Sequence, residues 1–178
     1  LYVGSIFNRR HLPELIAACG KLALGHPEVR LEVVGEDRTY PSQDLGAAAA
    51  ASGMEGRLSL RSYVPDEELA VLYGKASVFA FLSDYEGFGL TPLEAIAAGV
   101  PAVLAETAVA REVCGDAALY VPTGDVGAIA AALESALFDP ATRRRLLAAG
   151  PATLSRYSWD RVGRDTLAVL LDAAGRRD

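Results

Sequence analysis

Hydrophobic positions along the chain follow two alternating patterns. Short β-rich runs occupy Leu1–Val3, Arg30–Val34, Arg57–Leu60, Val78–Phe81, Ala102–Leu104 and Ala118–Val121. Between them, apolar residues recur at helical spacing. Leu12, Leu15, Ile16, Cys19, Leu22 and Ala23 lie at i, i+3, i+4, i+7 and form one helix face. Gly25, as a C′ glycine, and Pro27 stop that helix. Leu69, Leu72 and Tyr73 mark a second helix with Asp66 as its N-cap. Leu93, Ile96 and Ala97 mark another, ended by Gly99 and Pro101. After Val121 the period is helical throughout, over 125–138, 141–154 and 158–174, with Asp125 and Ser158 as N-caps.

Strands separated by helices over such distances imply βαβ units with right-handed crossovers. The expected class is α/β: a Rossmann-like, doubly wound parallel sheet of about six strands, followed by C-terminal helices. Ligands of such folds bind beyond the carboxyl ends of the strands, where strand order reverses. That singles out the loops Gly4–Arg10, Gly35–Arg38, Ser62–Asp66 and Ser83–Thr91.

Composition narrows the class. At 178 residues, one domain over 1–178 is the economical division. The net charge of −6 argues against a nucleic-acid module, which needs a basic face. No apolar run is long enough to span a membrane. The opening Leu1-Tyr2-Val3-Gly4 does not read as a signal peptide. Cys19 and Cys114 sit in helix-like sequence and suit reduced thiols, hence a cytoplasmic protein. Residues 139–178 carry eight arginines against five aspartates, a net of +3, while residues 1–138 carry −9. Solvated helix faces account for this; a basic tail facing an acidic partner, or making peripheral contact with the inner face of an anionic membrane, is the sharper reading. His11 and His26 show neither metal-ligand spacing nor a catalytic partner and read as surface residues.

The richest stretch is Ser83-Asp84-Tyr85-Glu86-Gly87-Phe88-Gly89-Leu90-Thr91-Pro92-Leu93-Glu94. It follows an apolar strand and opens a helix. Gly87 and Gly89 let the backbone approach a ligand, and the helix start offers unpaired N–H donors and partial positive charge to a phosphate. Pro92 stands where a dinucleotide motif needs a third small residue, which disfavours a nicotinamide enzyme. Glu94 has two readings. Thr91-Pro92-Leu93-Glu94 fits a capping box with Thr91 as N-cap and Glu94 at N3, and the same carboxylate could also accept a sugar hydroxyl. Glu86 reads as a solvated loop acid or as a ligand contact.

Glu86 to Glu94 resembles the Glu-x7-Glu signature of GT4 retaining glycosyltransferases, enzymes of the two-domain GT-B fold. Ala76 to Ser83, Ala95 to Pro101, Arg111 to Val121 and Tyr157-Ser158-Trp159 are similar to the flanking family motifs, so the resemblance runs from Leu1 to about Leu171. It implies one half of a GT-B enzyme, the nucleotide-sugar-binding half, with the N-terminal acceptor-binding domain as its missing partner. It also implies transfer of a hexosyl group, with retention, from a UDP-, GDP- or ADP-sugar to an acceptor hydroxyl in polysaccharide or glycoconjugate synthesis. Glu86 and Arg10 become the catalytic candidates. Glu86 would contact donor-sugar hydroxyls. The backbone of Gly87, Phe88, Gly89, Leu90 and Thr91 would meet the sugar and diphosphate, and Glu94 the ribose.

The family usually shows G-R-l-x-x-x-K-G in the first loop; here it is Gly4-Ser5-Ile6-Phe7-Asn8-Arg9-Arg10-His11. Arg10 takes the Lys position as a diphosphate partner, Ser5 replaces the Arg, and Arg9 could substitute. Tyr63 and Val64 fall in the loop that lines the nucleobase, and Asp37 and Arg38 lie after the second strand. No Asp-x-Asp is present, so the resemblance implies no cofactor and no metal. Two alternatives stay open: a non-catalytic sugar-nucleotide-binding module, and another GT-B sugar-nucleotide enzyme.

Overall fold

A computed structural model describes residues 1–175. The elements are β1 (Tyr2–Val3), α1 (Leu12–Gly25), β2 (Leu31–Val34), α2 (Leu45–Ala51), β3 (Leu58–Arg61), α3 (Asp66–Lys75), β4 (Phe79–Phe81), α4 (Leu90–Ala97), β5 (Ala102–Ala105), α5 (Ala108–Cys114), β6 (Ala118–Val121), α6 (Val126–Phe138), α7 (Pro140–Leu154) and α8 (Trp159–Gly175). All six apolar runs form strands and every pairing is parallel.

They do not make the single six-stranded sheet expected from the pattern. β1-β2-β3 and β4-β5-β6 are two three-stranded sheets. The reason lies at the seam. β1 is two residues long, and among the described residues two backbone hydrogen bonds join its start to β4: the Ala80 N–H to the Leu1 carbonyl and the Leu1 nitrogen to the Val78 carbonyl, each 2.9 Å. Two neighbouring bonds align the strands without building a ladder. The doubly wound course survives: the chain runs outward to β3, returns to β4 beside β1, and runs outward again. That reversal opens a crevice between the loops after β1 and β4.

β4 and β5 are buried along their whole lengths, as apolar strands covered on both faces should be. Helix α1 buries Leu12, Leu15, Ile16, Cys19 and Leu22 and packs against α2 and α6. Each such side chain contributes about 1.5–3 kcal/mol relative to exposure. The helix runs through Gly25 and is capped by His26, so Gly25 is not the C′ residue. In α3 the cap position belongs to Pro65; Asp66 is the first helical residue, where its charge suits the helix dipole. Asp125 does cap α6, accepting from the Ala128 N–H at 2.9 Å, and Ser158 accepts from the Arg161 N–H at 3.5 Å. Asp44, Thr107 and Asp139 are further caps. Both cysteines are buried and free, with thiols pushed up to about 11 by burial, so they are inert.

Helix α8 differs from the rest because none of its residues is buried. Trp159, Val162, Leu167, Val169, Leu170 and Leu171 are all exposed. Of the eight C-terminal arginines, Arg176 and Arg177 lie outside the described residues. Among the described residues, no helix is long and apolar enough to cross a membrane.

Candidate active site

Two bonds from Arg10 join the two glycine-bearing loops at the crevice, and a third within the β4 loop converges on the same oxygen. The Arg10 guanidinium donates to Glu86 Oε1 from Nη2 at 2.8 Å and from Nε at 3.1 Å, across 76 positions of sequence. The Ser83 hydroxyl donates to the same oxygen at 2.8 Å. Arg10 sits in a short 3-10 turn, Asn8–Arg10, and is 9% exposed. It is therefore not a solvated side chain at a helix start. Its Nη1 donates to the Ser5 carbonyl at 2.6 Å and to the Tyr2 hydroxyl at 3.5 Å, and its face lies 4.8 Å from the Phe81 ring centroid. Four of five guanidinium N–H groups are thereby used, and one remains for a ligand.

Gly4 makes this burial possible. A Cβ there would stand 2.7 Å from Arg10 Nη1 and 3.3 Å from the Phe81 ring, and the φ of 143° is one that L side chains rarely adopt. Ser5, which holds the position where the family usually has Arg, contributes its carbonyl to orienting Arg10. Arg9 does not take over that cationic role at the cluster. It is exposed, donates to the Tyr85 carbonyl at 3.3 Å and stacks 4.4 Å from the Phe7 ring.

His11 is not the unpartnered surface residue that spacing suggested. It has φ 50°, in the left-handed region, at the position where the family motif has Gly. Its Nε2 lies 2.7 Å from Asp84 Oδ2 and its Nδ1 3.3 Å from Glu14 Oε1. Burial works against its charge, but the two carboxylates outweigh it and raise the imidazole above its ordinary range. Asp84 moves down: burial opposes the shift, and bonds from His11 and Thr123 overcome it. The His11 contribution to stability is full below its unfolded value of about 6.5 and is lost as pH rises through the higher folded value. The Asp84 contribution is lost only as pH falls through its depressed value. Melting temperature is thus expected to fall as pH is raised from 6 to 8. In His11→Gln that decline should flatten; an unchanged decline would assign it elsewhere.

The capping box is not formed. Gly89, with φ 92°, is the N-cap and makes no side-chain bond, so α4 starts at Leu90, before Thr91. Glu94 instead accepts from the Tyr73 hydroxyl at 2.9 Å on Oε2. Burial, then the Glu94 carboxylate, pushes the Tyr73 hydroxyl well above the usual tyrosine range, so it stays a proton donor. Phe88 meets the Tyr157 ring edge-on at 5.3 Å, which ties the glycine loop to the junction before α8. Tyr73, Tyr157 and Ser83 were not among the site candidates read from the sequence, because each partner lies in another element or across the loop.

Not every sequence candidate joins the cluster. Tyr63 is exposed at the end of β3, and Val64 is buried in the core. Among the described residues, no hydrogen bond or ring contact links Tyr63 to Arg10 or Glu86. Arg38 pairs with Glu36, and Asp37 accepts from the Thr39 N–H. The hollow behind Glu86, Phe88 and Gly89 holds about 20 Å³, and the roomier cavities lie elsewhere. One of about 620 Å³ is lined by Ile6, Gly35 and Gln43; another of about 550 Å³ lies at the amino ends of the strands. An open crevice encloses little volume, so the convergent charges locate the site better than cavity size does. Among the described residues, no group of three or more His, Cys, Asp or Glu could hold a metal ion.

Paired parallel sheets with a charged crevice at their switch point define a doubly wound α/β domain. Known proteins give the family. Residues 1–153 match the model for "Glycosyl transferases group 1". The O-antigen chain mannosyltransferase B of Escherichia coli is 34% identical over 170 residues, covering 94% of this chain and 44% of that protein. Sucrose-phosphate synthase from Thermosynechococcus elongatus is 27% identical, with a TM-score of 0.74 over 97% of this chain and 46% of that one. Anabaena HepE, solved with UDP and glucose, shares the fold at a TM-score of 0.82 and 21% identity, over 96% of this chain and 48% of that one. The chain belongs to the group 1 glycosyltransferases, and it spans under half the length of these relatives.

Proposed function

We propose that these 178 residues are the donor-binding half of a retaining glycosyltransferase, and that the crevice between the β1 and β4 loops holds a nucleoside diphosphate sugar. The buried Arg10, fixed against Glu86 at the switch point, carries this reading. A guanidinium that keeps one N–H in reserve suits a phosphate oxygen. The first-turn N–H groups of α4 offer further donors, and the helix dipole adds positive charge there. Together they meet the charge that grows on the departing nucleoside diphosphate as the anomeric C–O bond breaks. No metal or cofactor is needed for that. Glu86 keeps Oε2 for hydroxyls of the donor sugar, and Glu94 keeps Oε1 for the ribose. HepE, with UDP and glucose bound, supports the ligand class, and the mannosyltransferase supports a role in polysaccharide or glycoconjugate synthesis.

Among the described residues, the bonds around Glu86 are made to Arg10 and Ser83, and neither is arranged to position an acceptor hydroxyl. We assign that task, and the second wall of the cleft, to an N-terminal domain of a longer enzyme. The uncovered apolar residues of α8 fit the same reading. The chain by itself should bind sugar nucleotide without transferring the sugar, and should self-associate through α8. Light scattering should show oligomers that dissociate when Leu167, Leu170 and Leu171 are changed to Ser, alongside a coupled assay with sugar nucleotides and acceptors. Acceptor-dependent turnover at an enzymatic rate would overturn the division of labour.

A further inference from the structure

We propose that Tyr73 is a positioning residue of the nucleotide site: its hydroxyl fixes the Glu94 carboxylate and so sets a preference for ribose over deoxyribose. This rests on the ribose role given to Glu94 above. Glu94 is an exposed side chain on α4, with three rotatable bonds of its own. Such a group loses conformational freedom when it grips a ligand, unless it is already held. Tyr73 supplies the hold. It lies on α3, 6% exposed, with its ring tilted against Phe79 of β4 at 6.0 Å between centroids. The ring is thus anchored in the core and only the phenol tip reaches the surface. From there the hydroxyl donates to Glu94 Oε2 at 2.9 Å. A carboxylate held by one oxygen keeps the other for a ligand hydroxyl. Two adjacent hydroxyls of a ribose are the groups of a nucleotide that suit such an acceptor, and a deoxyribose lacks one of them.

A purely structural role for this bond predicts something different. A tyrosine that merely satisfies its hydroxyl at the surface would, when changed, affect all nucleotides alike. The experiment therefore compares ligands. Tyr73→Phe keeps the ring and removes the hydroxyl; Tyr73→Met removes both, fills the space with a flexible apolar side chain, and serves if the first variant does not fold. Each is titrated calorimetrically with whichever of UDP, GDP and ADP binds the unaltered chain best, and with its 2′-deoxy and 3′-deoxy forms. The expected result is a loss of about 3- to 10-fold for the ribonucleotide and under about 2-fold for the deoxy forms, which narrows the ribose preference. Adding Glu94→Ala to Tyr73→Phe should cost the ribonucleotide less than Glu94→Ala costs alone. An undiminished ribose preference in Tyr73→Phe, or equal losses for all three ligands, overturns the inference and leaves the site reading intact. If the folded, unaltered chain binds none of the three diphosphates, the parent reading fails instead.

Discussion

Replacing Arg10 with Ala is expected to weaken binding of a nucleoside diphosphate about 10- to 100-fold, with little effect on the bare nucleoside. The guanidinium is the cation buried at the crevice, and a hydrogen bond from a charged donor to a phosphate is among the stronger ones a site can make. On the proposed reading the base and ribose are met elsewhere, by the loop after β3 and by Glu94, so the nucleoside should keep its contacts. The change also removes both Arg10 bonds from Glu86 Oε1 and the stacking on Phe81, so melting temperature should fall. Arg10→Lys separates the two effects. It retains the charge and loses the fork, and its affinity should lie between the two. Calorimetry with a diphosphate and its nucleoside measures both arms; equal losses for both ligands would place Arg10 away from the phosphates.

Glu86→Ala should have the largest effect on stability and a selective effect on binding. Arg10 would remain buried with the carboxylate that pairs with it gone. Removing one member of a buried ion pair costs about 3–5 kcal/mol. The Glu86 side chain is 23% exposed, so water can replace part of it, and about 2–3 kcal/mol is expected here. Glu86→Gln keeps an oxygen for Arg10 and Ser83 and should recover most of that loss. In binding, both variants should keep the diphosphate and lose the extra affinity that the sugar confers. Chemical denaturation gives the stability difference. The ratio of diphosphate to sugar-nucleotide affinity gives the other, and a ratio unchanged in Glu86→Gln would remove Glu86 from the sugar.

Much of the fold was legible because its signals are local. The β-rich runs, the face of α1 and the Asp125 cap each depend on residues within a turn or two of one another. The errors fall where conformation or distant pairing decides. Thr91 looked like an N-cap, but the φ of 92° at Gly89 turns the chain into α4 before Thr91 is reached. That angle is not written in residue types, since Gly permits both signs of φ. Six strands suggested one sheet; the split depends on how few bonds join β1 to β4, which is a matter of strand length in three dimensions. In the candidate site, Glu86 and Arg10 were singled out through motif resemblance, and nothing local foretold that they would touch each other across 76 positions. Tyr73 and His11 were missed as partners for the same reason: Glu94 and Asp84 come from other segments.

The central claim is that the crevice between the β1 and β4 loops binds a nucleoside diphosphate sugar. Its most direct test is a thermal-shift and calorimetric titration of this chain with UDP, GDP and ADP and their hexose derivatives, repeated with Arg10→Ala. The account predicts that at least one sugar nucleotide raises the melting temperature of the unaltered chain and saturates one site, and that Arg10→Ala loses the response. A folded chain that responds to none of them, or a response that Arg10→Ala leaves unchanged, would contradict it.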